Sequence, residues 1–508
     1  MRYDAVVVGL GPVGALSALL LARSGLRVAV LERSAEPVVL PRAVGLDGES
    51  LRAFQRIGLG DAVHAILQPP RERDEVCFTD SKRQRLFGLE IPRLGHNGWR
   101  EMAFFDQPEL EALLRQWVVD EERIDVCLGE ELVALEQTSD EVVLQSRGPG
   151  GARSWRAAWA IGCDGASSRV RDLLGIGWQS LGYDQDWLVV DIVQEPEARL
   201  PLATMQVCDP ERLTTYVCVK DPNRRWEFQL REGETREEML RPERIQALLQ
   251  PWLPPEHYAI RRAAVYQFHA ATAARWQAGR VFLAGDAAHQ TPPFLGQGLN
   301  SGFRDAVNLG WKLPLVCAGT CHPGLLATYA AERDAHARDL VEWAVAVGKL
   351  METLAAREIG QPDPHPRVDS SAGYGQGRSA PPLRGGVLVD AQGGADSAVG
   401  NLLRQPTLRG ADGVARRLDD LLGRGFAVVG RTPGDLALGE DAENVLERVG
   451  GRRLALQGLE PTEGAPDRLF ERHAAAVVRP DRYVFGVVDR DWSLDRLLIE
   501  LGRRLVLA

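Results

Sequence analysis

The N-terminal part of the chain alternates apolar runs with a glycine-rich break. The stretch "YDAVVVGLGPVGALSALLLARSGLRVAVLER" has the pattern of a strand, a tight turn, a helix that ends at Gly25 and a second strand that ends at Glu32. Strand-length apolar runs on both sides of a helix-length apolar run are typical of a βαβ unit. The pattern therefore predicts an α/β domain at the start of the chain.

Between about residues 181 and 268 the apolar positions alternate with polar ones. The segments "DWLVVDIVQ", "TTYVCVK", "RRWEFQLREG" and "AAVYQFHA" show this alternation, which is typical of antiparallel strands. From residue 280 the strand-helix pattern resumes with "RVFLAGDAAH", and long helical segments follow it. We therefore expect a mostly antiparallel sheet that is inserted into the first domain.

The last part of the chain follows a segment of different composition. Residues 361–396 are dense in Pro, Gly and Ser, which predicts a linker or an irregular wrapping segment. Strands and helices then alternate again, as expected of a small separate α/β domain. The predicted first domain comprises residues 1–75, 100–180 and 269–360, and the inserted domain comprises residues 76–99 and 181–268. The linker is residues 361–396, and the C-terminal domain is residues 397–508.

Length and charge agree with a multidomain protein of ordinary composition. At 508 residues and 55.8 kDa the chain exceeds one hydrophobic core, and we expect two or three domains. Its net charge of -10 comes from interleaved acidic and basic residues, which disfavours non-specific binding to nucleic acid. No nucleic-acid partner is predicted.

Cysteine usage and hydropathy predict a cytoplasmic protein. Seven cysteines lie at irregular spacings without a CxxC pair, and none follows Cys321, which indicates reduced thiols. Residues 5–22 are uncharged and mostly apolar, as in a membrane span. Three glycines and Pro12 break this run, and no basic segment precedes it, so no membrane association is predicted.

The glycines of that break form the first chemical motif. Gly9, Gly11 and Gly14 give GxGxxG between a strand and a helix, a pattern that cradles a pyrophosphate at the helix N-terminus. Gly9 permits the turn, Gly11 lets the backbone approach the phosphates, and Gly14 lets the helix pack on the strand. Glu32 ends the next strand and can accept hydrogen bonds from a ribose, and Arg33 follows it. A turn without a function is the alternative interpretation.

Two later motifs place acids after apolar strands. In "IGCDGASSRVR", Asp164 and Ser168 have the residue types either of a ligand loop or of a simple helix cap. In "AGDAAHQTPPFLGQGLN", Asp286 precedes two prolines and a glycine-rich helix start, where N-H groups and a positive dipole end are available. A carboxylate at this position suits a sugar-alcohol hydroxyl. "GYGQG" near residue 374 lacks a flanking strand and helix, and is assigned to the linker.

These three motifs, in this order, resemble those of the class A FAD-dependent aromatic hydroxylases of the para-hydroxybenzoate hydroxylase type. The resemblance covers about residues 1 to 360. It implies that FAD contacts a set of residues spread over the first domain: Gly9, Gly11, Gly14, Glu32, Arg33, Arg42, Gln107, Asp164, Asp286, Pro293, Gly296, Gly298, Leu299 and Asn300. Within this set, the first glycines and Glu32 hold the ADP half, and Asp286 holds the ribityl chain. Gly298, Leu299 and Asn300 then present their backbone to the flavin ring.

A closer resemblance links the chain to 3-(3-hydroxyphenyl)propionate hydroxylases. It rests on "PRAVGLDGESLR", "WLVVDI", "RRWEFQLREGET" and "GQGLNSGFRDAVNLGWKL". That subgroup ends in a thioredoxin-like domain without redox cysteines, and here no cysteine follows Cys321. The expected fold is therefore a Rossmann-like FAD domain, an inserted antiparallel substrate domain and a thioredoxin-like α/β domain.

The resemblance also implies a reaction and its partners. NADH or NADPH reduces FAD transiently, O2 adds to give a C4a-hydroperoxyflavin, and the distal oxygen goes to a phenolic ring carbon. No second GxGxxG follows a strand, so no separate nucleotide domain for the reductant is expected. The expected partners are a small aromatic substrate and O2, with a homodimer as one possible assembly and no metal site.

The substrate end of the site is predicted from strand residues. Tyr266 and His269 in "VYQFHA" are candidates for activating a phenol, although either one also fits a protein core. Trp226 and Phe228, two residues apart on one strand face, are candidate pocket walls or plain sheet packing. Pro292 is a further candidate. For a carboxylated substrate, Arg224 and Arg225 are possible cationic partners.

Two other functions remain open at this point. The same flavin chemistry also serves epoxidation, oxidative decarboxylation or ring expansion of a biosynthetic intermediate. A non-catalytic flavin-binding assembly protein would keep the fold without the reaction. The WxWxIP motif of flavin-dependent halogenases is absent, so halogenation is set aside.

Overall fold

The computed structural model describes residues 2–37, 40–72, 74–366, 380–389 and 397–507. Most of the predicted linker, including the "GYGQG" segment, lies outside the described residues. Within residues 380–389, Leu383, Val387, Leu388 and Val389 are buried. This described piece therefore packs against the rest of the protein.

The N-terminal βαβ unit lies at the centre of an eight-stranded sheet. β1 pairs in parallel with β2 on one side and with β10 on the other, and the apolar strands are covered by helices. Its strands are β1 (Arg2–Val8), β2 (Val28–Glu32), β7 (Ile124–Leu128), β8 (Glu131–Gln137), β9 (Val142–Gly148), β10 (Gly151–Gly162), β16 (Gln277–Ala278) and β17 (Val281–Leu283).

A second eight-stranded sheet is antiparallel except where β12 pairs with β4. Its order is β18-β15-β11-β14-β13-β12-β4-β5. The strands are β4 (Glu75–Thr79), β5 (Arg85–Glu90), β11 (Trp178–Gln194), β12 (Thr204–Val207), β13 (Thr214–Val217), β14 (Asn223–Gln229), β15 (Tyr258–Ala273) and β18 (His289–Gln290). A two-stranded sheet of β3 (Gly45–Asp47) and β6 (Met102–Phe104) lies beside them.

The C-terminal domain is built on two small sheets. One joins β19 (Thr407–Arg409), β20 (Ala415–Arg417) and β23 (Glu460–Glu463). The other joins β21 (Ala427–Gly430), β22 (Arg452–Ala455), β24 (Ala475–Val478) and β25 (Val484–Val487). The predicted α/β class, with a parallel-sheet domain, an antiparallel sheet and a small C-terminal domain, is confirmed.

Helices cover the sheets and connect them. They are α1 (Pro12–Ala22), α2 (Gly48–Arg56), α3 (Gly60–Ala65), α4 (Gln107–Asp120), α5 (Arg169–Leu173), α6 (Arg236–Met239), α7 (Pro242–Leu249), α8 (Gly298–Cys317), α9 (Ala327–Glu358), α10 (Leu418–Leu422), α11 (Glu440–Arg448), α12 (Leu469–Arg472) and α13 (Leu494–Arg504). Among the described residues, none of them combines the length and the apolar character that crossing a membrane would require.

Buried ion pairs fasten the C-terminal domain to the first domain. Glu332 on α9 forms ion pairs with Lys312 Nζ at 2.8 Å and with Arg479 Nη2 at 2.7 Å, and all three side chains are fully buried. Removing one partner of such a cluster leaves a buried charge unpaired. The C-terminal domain is thus part of the same folded body, and one apolar core contains both Val30 and Val428.

Candidate active site

A cavity of about 810 Å³ runs from the first sheet to one face of the second sheet. It brings together most of the residues predicted to contact FAD, although they are far apart in sequence. Those that line it are Gly9, Gly11, Glu32, Arg33, Arg42, Gln107, Asp164, Asp286, Pro293, Gly296, Gly298 and Leu299. Gly14 and Asn300 do not line it.

The three glycines of the first turn differ in what surrounds them. Gly9 has φ of +100°, and a Cβ on it would lie 2.5 Å from the carbonyl oxygen of Cys163. A Cβ on Gly14 would lie 2.1 Å from the carbonyl oxygen of Gly9. A Cβ on Gly11 would meet nothing within 4 Å, because that side faces the cavity. Gly9 and Gly14 therefore serve the turn and the helix packing, while Gly11 leaves room for a ligand.

Two helices point uncapped N-termini towards this cavity. The N-caps of α1 and α8 are Gly11 and Gln297, and no side chain caps either end. Both N-cap residues line the cavity. Free N-H groups and the positive dipole end at such positions favour phosphates and electron-rich ring oxygens.

Two acids are held in place beside the first turn. Glu32 accepts hydrogen bonds from the backbone N-H groups of Leu10 and Ser34, both at 2.8 Å. Asp164 accepts from Ser168 Oγ at 2.5 Å and from the Val170 N-H at 2.9 Å. Burial raises the pKa of Asp164 above its usual value. Asp164 thus orders the start of α5 and lines the cavity as well, so both interpretations of this motif apply.

Asp286 lies in the cavity without a hydrogen-bond partner among the described residues. Burial raises its pKa, and the charges of His289 and Arg42 oppose this effect. The loop that carries it is anchored by Asp305 on α8, which accepts from the Gly285 N-H at 2.9 Å. His289 and Arg333 also bind Asp305, at 2.9 and 2.8 Å. The sequence reasoning missed Asp305, whose signal is that it is the one acidic residue of α8.

The Arg42 loop is positioned through its backbone. Gln107 Oε1 accepts from the N-H groups of Arg42 and Ala43 at 3.0 and 2.6 Å. The Gln107 amide is therefore used to hold the loop. The Arg42 side chain is exposed to the cavity and makes no ion pair with the described residues, so its charge is available to a phosphate.

Asn300 contacts the protein through its side chain and does not line the cavity. Its side chain is fully buried, accepts from Ser50 Oγ at 2.6 Å and donates to the Gly296 carbonyl at 2.7 Å. The Asp47 N-H on β3 also donates to this side chain, at 3.1 Å. Asn300 therefore connects the start of α8 to β3 and, through Ser50, to α2. Only Gly298 and Leu299 of that trio line the cavity.

The substrate end of the cavity corrects the prediction for Trp226 and Phe228. Side chains alternate along β14, and Arg225 and Glu227 are the ones that line the cavity. Trp226 lies on the other face, fully buried, with the Tyr216 ring 5.1 Å and the Trp252 ring 5.6 Å from its own. The pair Trp226 and Phe228 is sheet packing.

The same alternation separates Tyr266 from His269. Tyr266 lines the cavity, with Phe268 stacked beside it at 6.5 Å between ring centroids. His269 does not line it, and its Nδ1 lies 2.5 Å from Asp184 Oδ1 on β11. Residues three apart on a strand face opposite sides, so both could not serve one pocket. Pro292 is buried and also does not line the cavity, whereas Pro293 does.

A buried charge cluster that the sequence reasoning did not find joins the two ends of the cavity. Arg225 pairs with Asp191 at 2.7 Å and donates to the carbonyl oxygens of Pro41 and Arg42 at 2.8 and 2.6 Å. Arg262 also donates to the Pro41 carbonyl. These arginines fasten the Arg42 loop to the second sheet. Arg225 already makes four hydrogen bonds with Asp191 and the Arg42 loop, and Arg224 pairs with Asp221 on the other face, so both arginines are engaged by the protein.

Comparisons with known proteins agree with this geometry. Residues 2–344 match the FAD binding domain family, and residues 400–501 match the HcaD C-terminal domain. A 3-(3-hydroxy-phenyl)propionate/3-hydroxycinnamic acid hydroxylase of Burkholderia cenocepacia (strain HI2424) is 35% identical over 96% of this chain and 94% of that relative. A probable NADH-specific resorcinol 4-hydroxylase of Rhodococcus jostii (strain RHA1) is 31% identical, covering 98% and 94%.

A solved structure has the same architecture from end to end. Aklavinone-11 hydroxylase, in a ternary complex with FAD and aklavinone, superposes with a TM-score of 0.84 at 25% identity over 99% of each chain. The open side of Gly11, the uncapped helix ends and the unpartnered Arg42 and Asp286 fit a dinucleotide of this kind. The chain therefore belongs to the FAD binding domain family. Within it, the protein is an FAD-dependent aromatic hydroxylase, that is, a monooxygenase.

Proposed function

We propose that the protein hydroxylates a small phenolic ring with O2 and a nicotinamide reductant. The observation that carries this proposal is the continuity of the cavity: its polar, glycine-lined end and its sheet-lined end are one space of about 810 Å³. The two named relatives act on phenols, which supports this substrate class. The overall change converts a ring C-H, O2, NADH or NADPH and one proton into a ring C-OH, water and the oxidised nicotinamide.

Each part of FAD has residues that suit it. Gly11, Glu32 and Arg33 line one part of the cavity and would hold the adenosine and pyrophosphate, and the Arg42 guanidinium would offer charge to the phosphates. The Asp286 carboxylate is free to accept hydrogen bonds from ribityl hydroxyls. The start of α8 at Gly298 offers N-H groups to the ring. Once bound, the flavin supplies the redox chemistry and the activated oxygen.

The rest of the cavity is suited to an aromatic guest. Its walls at this end include Val76, Leu89, Val189, Val217 and Phe268. Such walls exclude water from the reacting ring and hold it in one orientation. Tyr266 is the one predicted catalytic residue that the cavity contains.

The reductant is proposed to be NADH. The named resorcinol hydroxylase is described as NADH-specific, which supports this reductant. Parallel assays with NADH and NADPH decide between them.

The cysteines bear on where the protein is located in the cell. All seven cysteines are free thiols, which supports a reducing compartment such as the cytoplasm. A homodimer stays a prediction, and analytical ultracentrifugation of the holoenzyme tests it.

One set of assays tests the proposed function. The purified protein should carry FAD, and 3-(3-hydroxyphenyl)propionate or resorcinol should accelerate its oxidation of NADH and yield a hydroxylated product. Mass spectrometry of the product separates hydroxylation from epoxidation, decarboxylation or ring expansion. If no phenol accelerates flavin reduction and no product gains oxygen, the proposal is wrong.

A further inference from the structure

Glu227 occupies an unusual position in the wall of the cavity. It lies in the middle of β14, in register with Thr215 of β13 and Val189 of β11, and Thr215 pairs with Gln206 of β12. All four side chains line the cavity. Glu227 is only 3% exposed, so its carboxyl group is held among protein atoms at the sheet-lined end.

This carboxyl group lacks hydrogen-bond donors from the described protein. Glu227 Oε2 is buried with no partner, and Oε1 lies 4.0 Å from Arg225 Nη1. The Thr215 hydroxyl donates to Gln206 Oε1 at 2.7 Å, so its proton is already used. Nearby buried carboxylates are normally satisfied, as Asp191 is by Arg225. An unsatisfied acid in a cavity wall indicates a ligand that supplies the missing donor.

Charged groups on three strands face Glu227. Arg225 lies on its own strand, Asp191 on β11 and Arg262 on β15, and no charged side chain lies opposite it on β13. Burial raises the pKa of Glu227 to about 7, the two arginines oppose this rise, and Asp191 adds to it. A group that gains and loses a proton near neutral pH is suited to general acid-base work.

Tyr266 also lines the cavity, and two neighbours fix its ring. The Arg262 guanidinium carbon lies 4.8 Å from the centre of that ring, and Phe268 stacks beside it. The ring is thus placed as a wall that orients an aromatic guest. Glu227 differs from it, because its carboxyl group is buried in the cavity wall with an oxygen that has no partner.

We propose that Glu227 is the catalytic base that takes the proton from the phenol hydroxyl of the substrate. The inference rests on the proposed hydroxylase function and deepens it. The phenol O-H bond breaks, a bond between that proton and a carboxylate oxygen of Glu227 forms, and the electron pair stays on the phenolate oxygen. The proton returns to the same oxygen when the product forms. The phenolate has the higher ring electron density that oxygen transfer requires.

The test measures ionisation of a bound phenol without turnover. In the FAD-loaded enzyme without reductant, 3-nitrophenol is the probe, because its phenolate absorbs visible light and its phenol does not. The wild type should ionise the bound probe at a pH where the free probe stays protonated. Glu227→Gln keeps the shape but cannot accept the proton, and should abolish this ionisation while retaining FAD.

Kinetics supply a second readout. With the substrate found for the wild type, kcat of Glu227→Gln should fall about 100-fold or more. The limb of the wild-type pH profile near pH 7 should be absent in that variant. Glu195→Gln removes an exposed carboxylate from the turn that follows β11, outside the cavity, and should match the wild type. Tyr266→Phe should keep the ionisation of the probe.

The possible failures are distinguishable. If the wild type hydroxylates phenols but Glu227→Gln keeps its pH profile and its ionised probe, Glu227 is not the base and the hydroxylase function stands. If Tyr266→Phe alone abolishes the ionisation, the tyrosine is the base. If Glu227→Gln loses FAD, the test uses the wild type alone. The proposal is wrong if the probe bound to the wild type ionises only at the pH where the free probe also ionises.

Discussion

The two ends of the cavity are built in different ways. At the FAD end the contacts come from short segments where a strand meets a helix, and much of what they offer is backbone: the open side of Gly11 and the uncapped starts of α1 and α8. At the other end, side chains from separate strands meet across the register of the second sheet. Each motif at the FAD end is contiguous in sequence, whereas no motif exists at the substrate end.

The difference also concerns how charge is handled. Arg42 and Asp286 at the FAD end have no partner among the described residues and line the cavity, so both are available to a ligand. At the substrate end Asp191 forms ion pairs with Arg225 and Arg262, whereas Glu227 Oε2 has no partner. The first arrangement predicts variants that lose the ligand and keep the fold. The second predicts variants that lose the fold.

The largest effect is expected at Asp191. Asp191→Ala leaves Arg225 and Arg262 buried without their shared carboxylate, which should lower the free energy of unfolding by about 3–5 kcal/mol. Urea unfolding of the apoprotein measures this loss. Asp286→Ala is the matched removal of an acid at the FAD end, and should leave apoprotein stability nearly unchanged. Equal losses in both variants would remove the distinction between the two ends.

The glycines of the first turn divide the FAD end itself. Gly14→Ala places a methyl group against the Gly9 carbonyl and should destabilise the apoprotein by about 1–3 kcal/mol or more. Gly11→Ala meets no protein atom, so it should weaken FAD binding while apoprotein stability stays at the wild-type value. Thermal unfolding with and without added FAD separates the two effects. A destabilised Gly11→Ala apoprotein would contradict the open side of that residue.

A smaller effect is expected for FAD affinity at Asp286. Removing its hydrogen bonds to the ribityl chain in Asp286→Ala should weaken FAD binding about tenfold, or about 1.5 kcal/mol. Fluorescence titration of the apoprotein with FAD gives the dissociation constant. Asp305→Asn serves as a comparison, because it weakens the hydrogen bond from the Gly285 N-H that anchors the loop and leaves the cavity lining unchanged. Unchanged affinity in Asp286→Ala would show that FAD does not use this carboxylate.

The smallest effect concerns pH and stability. The pKa of Glu227 is about 7 in the folded protein against 4.5 for an ordinary glutamate, so the folded state keeps a proton that the unfolded state releases. This contribution is complete below pH 4.5 and is lost as the pH rises through 7. Relative to Glu227→Gln, wild-type stability should fall by about 1 kcal/mol between about pH 5.5 and about pH 6.5. Parallel curves would indicate an ordinary pKa.

Sequence reasoning reached the FAD end because its signals are local. A GxGxxG between a strand and a helix, or an acid before a glycine-rich helix start, predicts the local backbone geometry from a few neighbouring residues. The same reasoning selected Trp226 and Phe228 at the other end, since aromatic residues suit an aromatic guest. Alternation showed that the two share a face, but nothing local shows which face of β14 meets the cavity, and they lie on the other one.

The sequence already contained a reason not to place His269 in the same pocket as Tyr266. His269 lies three residues from Tyr266 on one strand, and an odd spacing puts the two on opposite faces. Asp305 was missed because an acid in a helix has many ordinary uses, and only the fold brings it against the Gly285 N-H.

The sequence by itself determined the order of the elements, the turns that only glycine allows and the kind of cofactor they accept, because these depend on neighbours within a few residues. Tertiary structure alone decided which face of the second sheet closes the cavity and which charges satisfy one another there. That choice depends on strand register and on burial, which raises the cost of every unpaired charge. For this reason Arg225, paired with Asp191, holds the Arg42 loop. Glu227, two residues further along β14, lines the cavity.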